Sequence, residues 1–106
     1  MLRVAGEVDA CTIPILHCAL DEGLDRDPAH LVVDLTRVTF CSAQGLDLLT
    51  QTRRIAAVKA TGYVVTGVPP HIQRVWSLCW GDVVPIRYHS TAAALTAIRA
   101  AEPLTT

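Results

Sequence analysis

Hydrophobic and polar positions along the 106-residue chain fall into short apolar runs and helical stripes that alternate in order. LRVAG (residues 2–6) reads as a short strand followed by a turn, GEVDA. Thr12 then supplies a capping hydroxyl, and Pro14 sits in a first helical turn, where its missing N–H does no harm. Leu16, Ala19, Leu20, Gly23 and Leu24 follow at i, i+3, i+4, i+7, i+8, one face of a helix that leaves Cys18 outside and stops at RDPAH. LVVDL (31–35) is a β-branched run between turn signals, the pattern of a central buried strand, and TRVTF leads on into a loop. From Gly45, residues Leu48, Leu49, Thr52, Ile55 and Ala56 repeat at helical spacing, which places Leu46, Asp47, Thr50, Arg53 and Arg54 outside that face.

TGYVVTGV (61–68) is the next strand. Pro69-Pro70 opens a third helix with Ile72, Val75, Trp76 and Cys79 on its core face and Trp80 part-exposed at its end; Gly81 stops it. VVPI (83–86) is a fourth short strand, and Ser90 caps a last helix carrying Ala94, Leu95 and Ile98. The order β-α-β-α-β-α-β-α in units of about 30 residues predicts an α/β fold with a mostly parallel sheet of about four to five strands. Residues 1–102 are expected to form one domain and 103–106 a frayed tail.

Composition narrows the function. Half of the residues are apolar, enough for a core. Nine basic against ten acidic residues, no basic run and few aromatics give nucleic acid nothing to hold. No apolar run approaches the roughly 20 residues that span a bilayer, and MLRVAGEVDA lacks the apolar stretch of a signal peptide, so a cytoplasmic location is expected. The four cysteines (11, 18, 41, 79) and four histidines (17, 30, 71, 89) have no metal-ligand spacing, so neither metal nor cofactor is expected.

Chemistry could reside in CSAQG (41–45), which follows a strand and opens a helix, as loops at the carboxyl ends of parallel strands often do in functional sites. GEVDACT (6–12) is at such an end too. Catalytic templates fail on spacing. A phosphatase-type cysteine needs arginine six residues on, and that position is Asp47. A hydrolase elbow needs glycine two residues either side of serine, where Ser42 has Phe40 and Gln44. A phosphate loop needs several glycines and a lysine; this loop has one glycine and no lysine. A small apolar packing role for Cys41, turn closure by Asp9 and core packing of Cys79 stand beside any functional role for them.

Three stretches together resemble one family. GEVDACTIPIL is similar to the opening acidic segment and first helix of STAS domains, in particular bacterial anti-sigma-factor antagonists. LVVDLTRVTFCSAQGLDLL resembles their second signature, a strand followed by Asp-Ser-Ser-Gly-Leu-Gly, and PPHIQRVWSLCWGDVVPI resembles their third helix and the strand after it. Family members have one more strand before LRVAG, which leaves an edge unaccounted for in this sequence.

The resemblance implies a binding switch and not an enzyme. Its partner would be an anti-sigma factor, often one with a histidine-kinase-like ATPase fold, whose capture frees a sigma factor. Phosphorylation of the first serine of the loop breaks such complexes by adding charge at the interface. Carried over by position, Asp9, Cys41, Ser42, Ala43, Gln44, Gly45, Leu46, Asp47, Thr50 and Arg53 would form the partner surface. Ser42 stands where the family has Asp, and Ala43 stands where it has the phosphorylated serine.

Three readings of the loop follow: permanent binding competence, Ser42 as a substitute phosphoacceptor, or redox control through a Cys11–Cys41 disulfide or one involving Cys79. A scaffolding STAS module and a Cys41-based thiol enzyme are the competing functions. A monomer or weak dimer is expected.

Overall fold

The computed structural model of the chain describes residues 1–81 and 86–88. Strand β1 (Leu2–Val8) leads through helix α1 (Ile13–Asp25) to β2 (His30–Cys41). Helix α2 (Ala43–Val58), β3 (Gly62–Thr66), helix α3 (Pro70–Trp80) and β4 (Ile86–Tyr88) follow. The four strands are all parallel and lie in the order β1-β2-β3-β4. Three successive right-handed crossovers in one direction put the three helices on one face of the sheet.

The predicted parallel α/β architecture is therefore the observed one. The last helix, with Ser90, Ala94, Leu95 and Ile98, and the tail at 103–106 lie outside the described residues, as does most of the expected strand at 83–86.

The core lies between that face and the helices. Leu31, Val33 and Leu35 of β2 and Tyr63 and Val65 of β3 meet Leu16, Leu20 and Leu24 of α1 and Leu46, Leu49 and Ala56 of α2. The intervening Val32, Val64 and Thr66 are buried as well, which is why both strands read as continuous apolar runs. Buried hydroxyls are tied down: Tyr63 Oη donates to the Leu49 carbonyl at 2.9 Å, and Thr52 Oγ1 donates to the Leu48 carbonyl at 2.8 Å.

Several elements differ from the sequence reading. Strand β1 does not turn at Gly6 but continues to Val8. Gly6 adopts φ +84, a left-handed conformation open to glycine, and the strand runs on past it. Strand β2 does not end at Leu35. Its TRVTF segment stays paired with β1, with two register irregularities, each placing the extra residue in β2. Those bulges break the alternation that would have marked the strand.

Helix α2 begins at Ala43, two residues before Gly45, and its buried face turns accordingly. Leu46, expected outside, is fully buried, whereas Ile55, expected in the core, is 44% exposed. In α3 only Ile72 and Trp76 are buried. Val75 and Cys79 are exposed, because the buried face of α3 is narrow and rests on Ile72 and the large Trp76. Its indole N–H donates to Thr50 Oγ1 at 2.8 Å. Trp80 is half-buried, as its place at the helix end suggested.

Candidate functional site

The carboxyl ends of β1 and β2 are locked side by side. Val8 is the register partner of Cys41, and the Ser42 amide donates to the Val8 carbonyl at 2.8 Å. The turn after β1 and the loop after β2 are thus neighbours, as a pairing of the first two strands requires. The start of α3 joins this end through a His71 ring nitrogen that donates to the Thr39 carbonyl at 3.2 Å.

In the first turn, Asp9 is an architectural residue. Its Oδ1 accepts from the amides of Cys11 at 3.0 Å and Thr12 at 3.2 Å, the pattern of an Asx-turn. Thr12 does not cap α1 forward with its side chain. Its Oγ1 accepts from the Asp9 amide and donates to the Glu7 carbonyl at 2.8 Å, stitching the turn back onto β1. Asp9 remains half-exposed beside the loop while its carboxylate oxygen holds the turn.

In the second loop, Ser42 is the N-cap of α2. Its backbone is extended (φ −69, ψ 163) and its Oγ accepts from the Gly45 amide at 3.2 Å. Ala43 and Gln44 then occupy the first helical positions with their side chains in solvent. Gly45 is buried for a steric reason: a Cβ there would lie 2.6 Å from Val8 Cγ1 and 2.9 Å from Cys41 Sγ. The loop is therefore seated directly on the end of β1, and glycine is what lets it approach. Asp47 is exposed and accepts from Gln51 Nε2 at 2.8 Å. Arg53 is exposed on the next turns of α2.

This geometry removes three residues from the expected partner surface. Gly45 and Leu46 face the core, and Thr50 is committed on both sides, donating to the Leu46 carbonyl and accepting from Trp76. It also adds one. Phe40 is 51% exposed one residue before Cys41, because the bulge beside it in β2 rotates it out of the core. An aromatic ring just before the loop was the available signal, but the reading of TRVTF as a lead-in to the loop masked it.

Cys41 lies near the start of α2, but its surroundings disfavour the thiolate. Its thiol is packed under Gly45 and Val8, and burial pushes its pKa up to about 11 from 9.0. At pH 8 the thiol therefore carries far less thiolate than an exposed cysteine does. Alkylation of the folded protein by iodoacetamide at pH 8 should label the exposed Cys11, Cys18 and Cys79 and leave Cys41 unmodified until denaturant is added. Peptide mass mapping of the labelled chain checks this, and rapid labelling of Cys41 would contradict the packing. All four cysteines are free thiols. Among the described residues, no cluster of His, Cys, Asp and Glu could hold a metal ion, and no helix is long and apolar enough to cross a membrane.

Comparison with known proteins converges on one family. The family model described as "Mlab, STAS domain" matches residues 1–79. A crystal structure of an anti-sigma factor antagonist from Mycobacterium paratuberculosis is 34% identical over 92% of this chain and 82% of its own, with a TM-score of 0.81. The anti-sigma factor antagonist SpoIIAA in its unphosphorylated form is 16% identical, covers 92% of this chain and 86% of its own, and has a TM-score of 0.70. The NMR structure of the protein TM1081 is 15% identical over 92% and 78% of the two chains, with a TM-score of 0.77. At those lower identities the likeness is one of fold. No curated protein sequence matches the chain.

Proposed function

The chain belongs to the STAS domain family, and we propose that within it the chain is an anti-sigma-factor antagonist held permanently in the binding-competent state. A regulatory role follows from the family and from the similarity to antagonists. The finer reading is that this protein captures an anti-sigma factor in the cytoplasm and so frees a sigma factor, acting by contact and without catalysis.

The observation that carries it is the division of labour in the loop. Ser42 turns its hydroxyl inward as the α2 cap, and Ala43, beside it, points outward with no hydroxyl. Position 43 cannot accept a phosphate, and Ser42 would have to surrender the cap to accept one. This favours permanent competence over Ser42 as a substitute acceptor. Redox control is weakened at Cys41 by its burial and raised pKa, which also disfavours a thiol enzyme. The proposed contact surface is Phe40, Ala43, Gln44 and Asp47, with Asp9 at one margin and Arg53 at the other; Cys41, packed against Gly45, and Ser42, turned inward as the cap, are left out of it as well.

The test is a release assay. A purified complex of the anti-sigma factor and its sigma factor from the same cell should give up the sigma factor when this protein is added, measured by gel filtration or polarisation. Prior incubation with ATP and the anti-sigma factor should neither change the protein's mass nor reduce release. Stable association with a multiprotein assembly, with no sigma factor displaced, would instead identify a scaffolding STAS module.

A further inference from the structure

We propose that the groove between α2 and α3 is the second half of the partner surface and that it takes an acidic segment of the anti-sigma factor, a carboxylate on Arg54 and an apolar neighbour against Trp80. The inference rests on the antagonist reading above and names the chemistry that the partner brings to it.

The loop contact is too small to act alone. It offers Phe40, Ala43, Gln44 and Asp47, with Asp9 and Arg53 at its margins. A stable complex buries about 800 Å² on each partner, a surface of roughly 20–30 residues. A partner seated on Ala43 and Asp47 therefore spreads onto a neighbouring helix. Helix α2 lies between the other two: Lys59 at its C-terminal end pairs with Asp25 of α1 at 3.4 Å, and Thr50 accepts from Trp76 of α3. The two directions differ in charge. Helix α1 carries Asp21, Glu22 and Asp25 and no lysine or arginine, whereas α2 and α3 carry Arg53, Arg54 and Arg74 against a single carboxylate, Asp47. An acidic segment is repelled on the first side and drawn to the second.

On that second side the surface is hollow. An open groove of about 290 Å³ is lined by Asp47, Thr50, Gln51, Arg53, Arg54 and Trp80. Thr50 is locked between the Leu46 carbonyl and the Trp76 indole, so this wall is formed before any partner arrives. The Asp47 carboxylate is engaged by Gln51 at 2.8 Å. It also stands two turns, about 10 Å, from Arg54 along the helix axis and does not compete for it. The Arg54 side chain is exposed and has neither a hydrogen bond nor an ion pair among the described residues. Its planar fork of donors suits a carboxylate held by two bonds. Trp80, half-buried at the end of α3, adds an aromatic wall to the same groove. Ala43 and Arg54 are about 16 Å apart along α2. About five extended residues of a partner span that distance, so one segment reaches from the loop to the groove.

The test is the affinity and association rate for the purified anti-sigma factor of the same cell, read by surface plasmon resonance at about 50 and about 500 mM salt. The parent protein should bind several-fold more weakly at the higher salt. Arg54→Glu should bind about tenfold more weakly at low salt, mostly through slower association, and should respond to salt by less than about twofold. Its melting curve should match the parent's, since the Arg54 side chain holds nothing in the fold. A photo-crosslinker at position 54 should label a segment of the partner rich in Asp and Glu. Changing the labelled carboxylate to lysine should recover most of the affinity that Arg54→Glu loses. Parent-like affinity of Arg54→Glu, or a crosslink to a neutral or basic segment, overturns the inference. If Ala43→Asp loses binding in the same assay, the antagonist reading survives that result. A parent protein that does not bind the anti-sigma factor at all overturns both.

Discussion

Gly45→Val lowers the stability of the domain by about 3 kcal/mol, the upper part of the range for overpacking a tight contact, and abolishes partner binding with it. The reason is spatial. Even the first added carbon would lie 2.6 Å from Val8 Cγ1 and 2.9 Å from Cys41 Sγ, and valine adds two more. Neither neighbour has room to retreat. Val8 is 3% exposed and belongs to the core, and Cys41 is the last residue of β2, held by its pairing with Val8.

The relief open to the protein is to lift the first turn of α2 off β1. That would break the Ser42 cap and the Ser42–Val8 backbone bond. A valine in a helix interior has only a modest propensity advantage over glycine, a few tenths of a kcal/mol, so the overlap wins. In a domain of this size the loss corresponds to a melting temperature more than about 10 °C lower, read by far-ultraviolet circular dichroism. Gly45→Ala should cost less, and truncation of Val8 should soften that cost. The combination of Gly45→Ala with Val8→Ala would therefore be more stable than the sum of the single effects predicts. A fully additive cycle would show that the contact with Val8 is not what constrains position 45.

The same junction explains why the sequence was readable in some places and misleading in others. Alternation of strands and helices, and the Leu16-Leu20-Leu24 stripe, follow from simple periodicities, and the parallel order follows from them. Helix α2 was harder, because its true start depends on Ser42. Read as a candidate nucleophile, Ser42 belongs to a loop and the helix begins at Gly45. As an N-cap it draws the helix back to Ala43, and the buried face then takes in Gly45 and Leu46 with Leu49, Thr52 and Ala56. Leu46 was assigned to the partner surface by its position in the motif and belongs to the core by its packing.

Strand β2 shows the opposite error. Its last residues look like a loop because two bulges disturb the alternation, and this also hid the exposed ring of Phe40. Helix α3 was over-assigned, since four apolar residues at core spacing suggested a wide face. Ile72 and the indole of Trp76, bonded to Thr50, make the contact and leave Val75 and Cys79 outside.

Ala43→Asp should lose binding without losing stability: it should bind the partner roughly 30 to 100 times more weakly, a change of about 2–3 kcal/mol, while leaving the fold intact or slightly more stable. Ala43 is the first residue of α2 and its side chain is in solvent, so a carboxylate meets no steric resistance. At this end of the helix the unsatisfied amides carry partial positive charge, which favours an acidic side chain by about 0.3–1 kcal/mol. Binding is affected in the other direction. If residues 43 and 44 form the centre of the contact, the added charge must be stripped of water against a surface that offers it no partner.

The two readouts therefore separate folding from recognition, which Gly45→Val cannot do. Ala43→Ser supplies the control. It should bind like the parent protein and, with ATP and a kinase-type anti-sigma factor, gain one phosphate and lose the partner. Titration calorimetry for binding and thermal melts for stability decide the matter. Undiminished binding by Ala43→Asp would move the interface away from this loop. Weak binding together with a lowered melting temperature would mean that position 43 acts through the fold rather than through the partner.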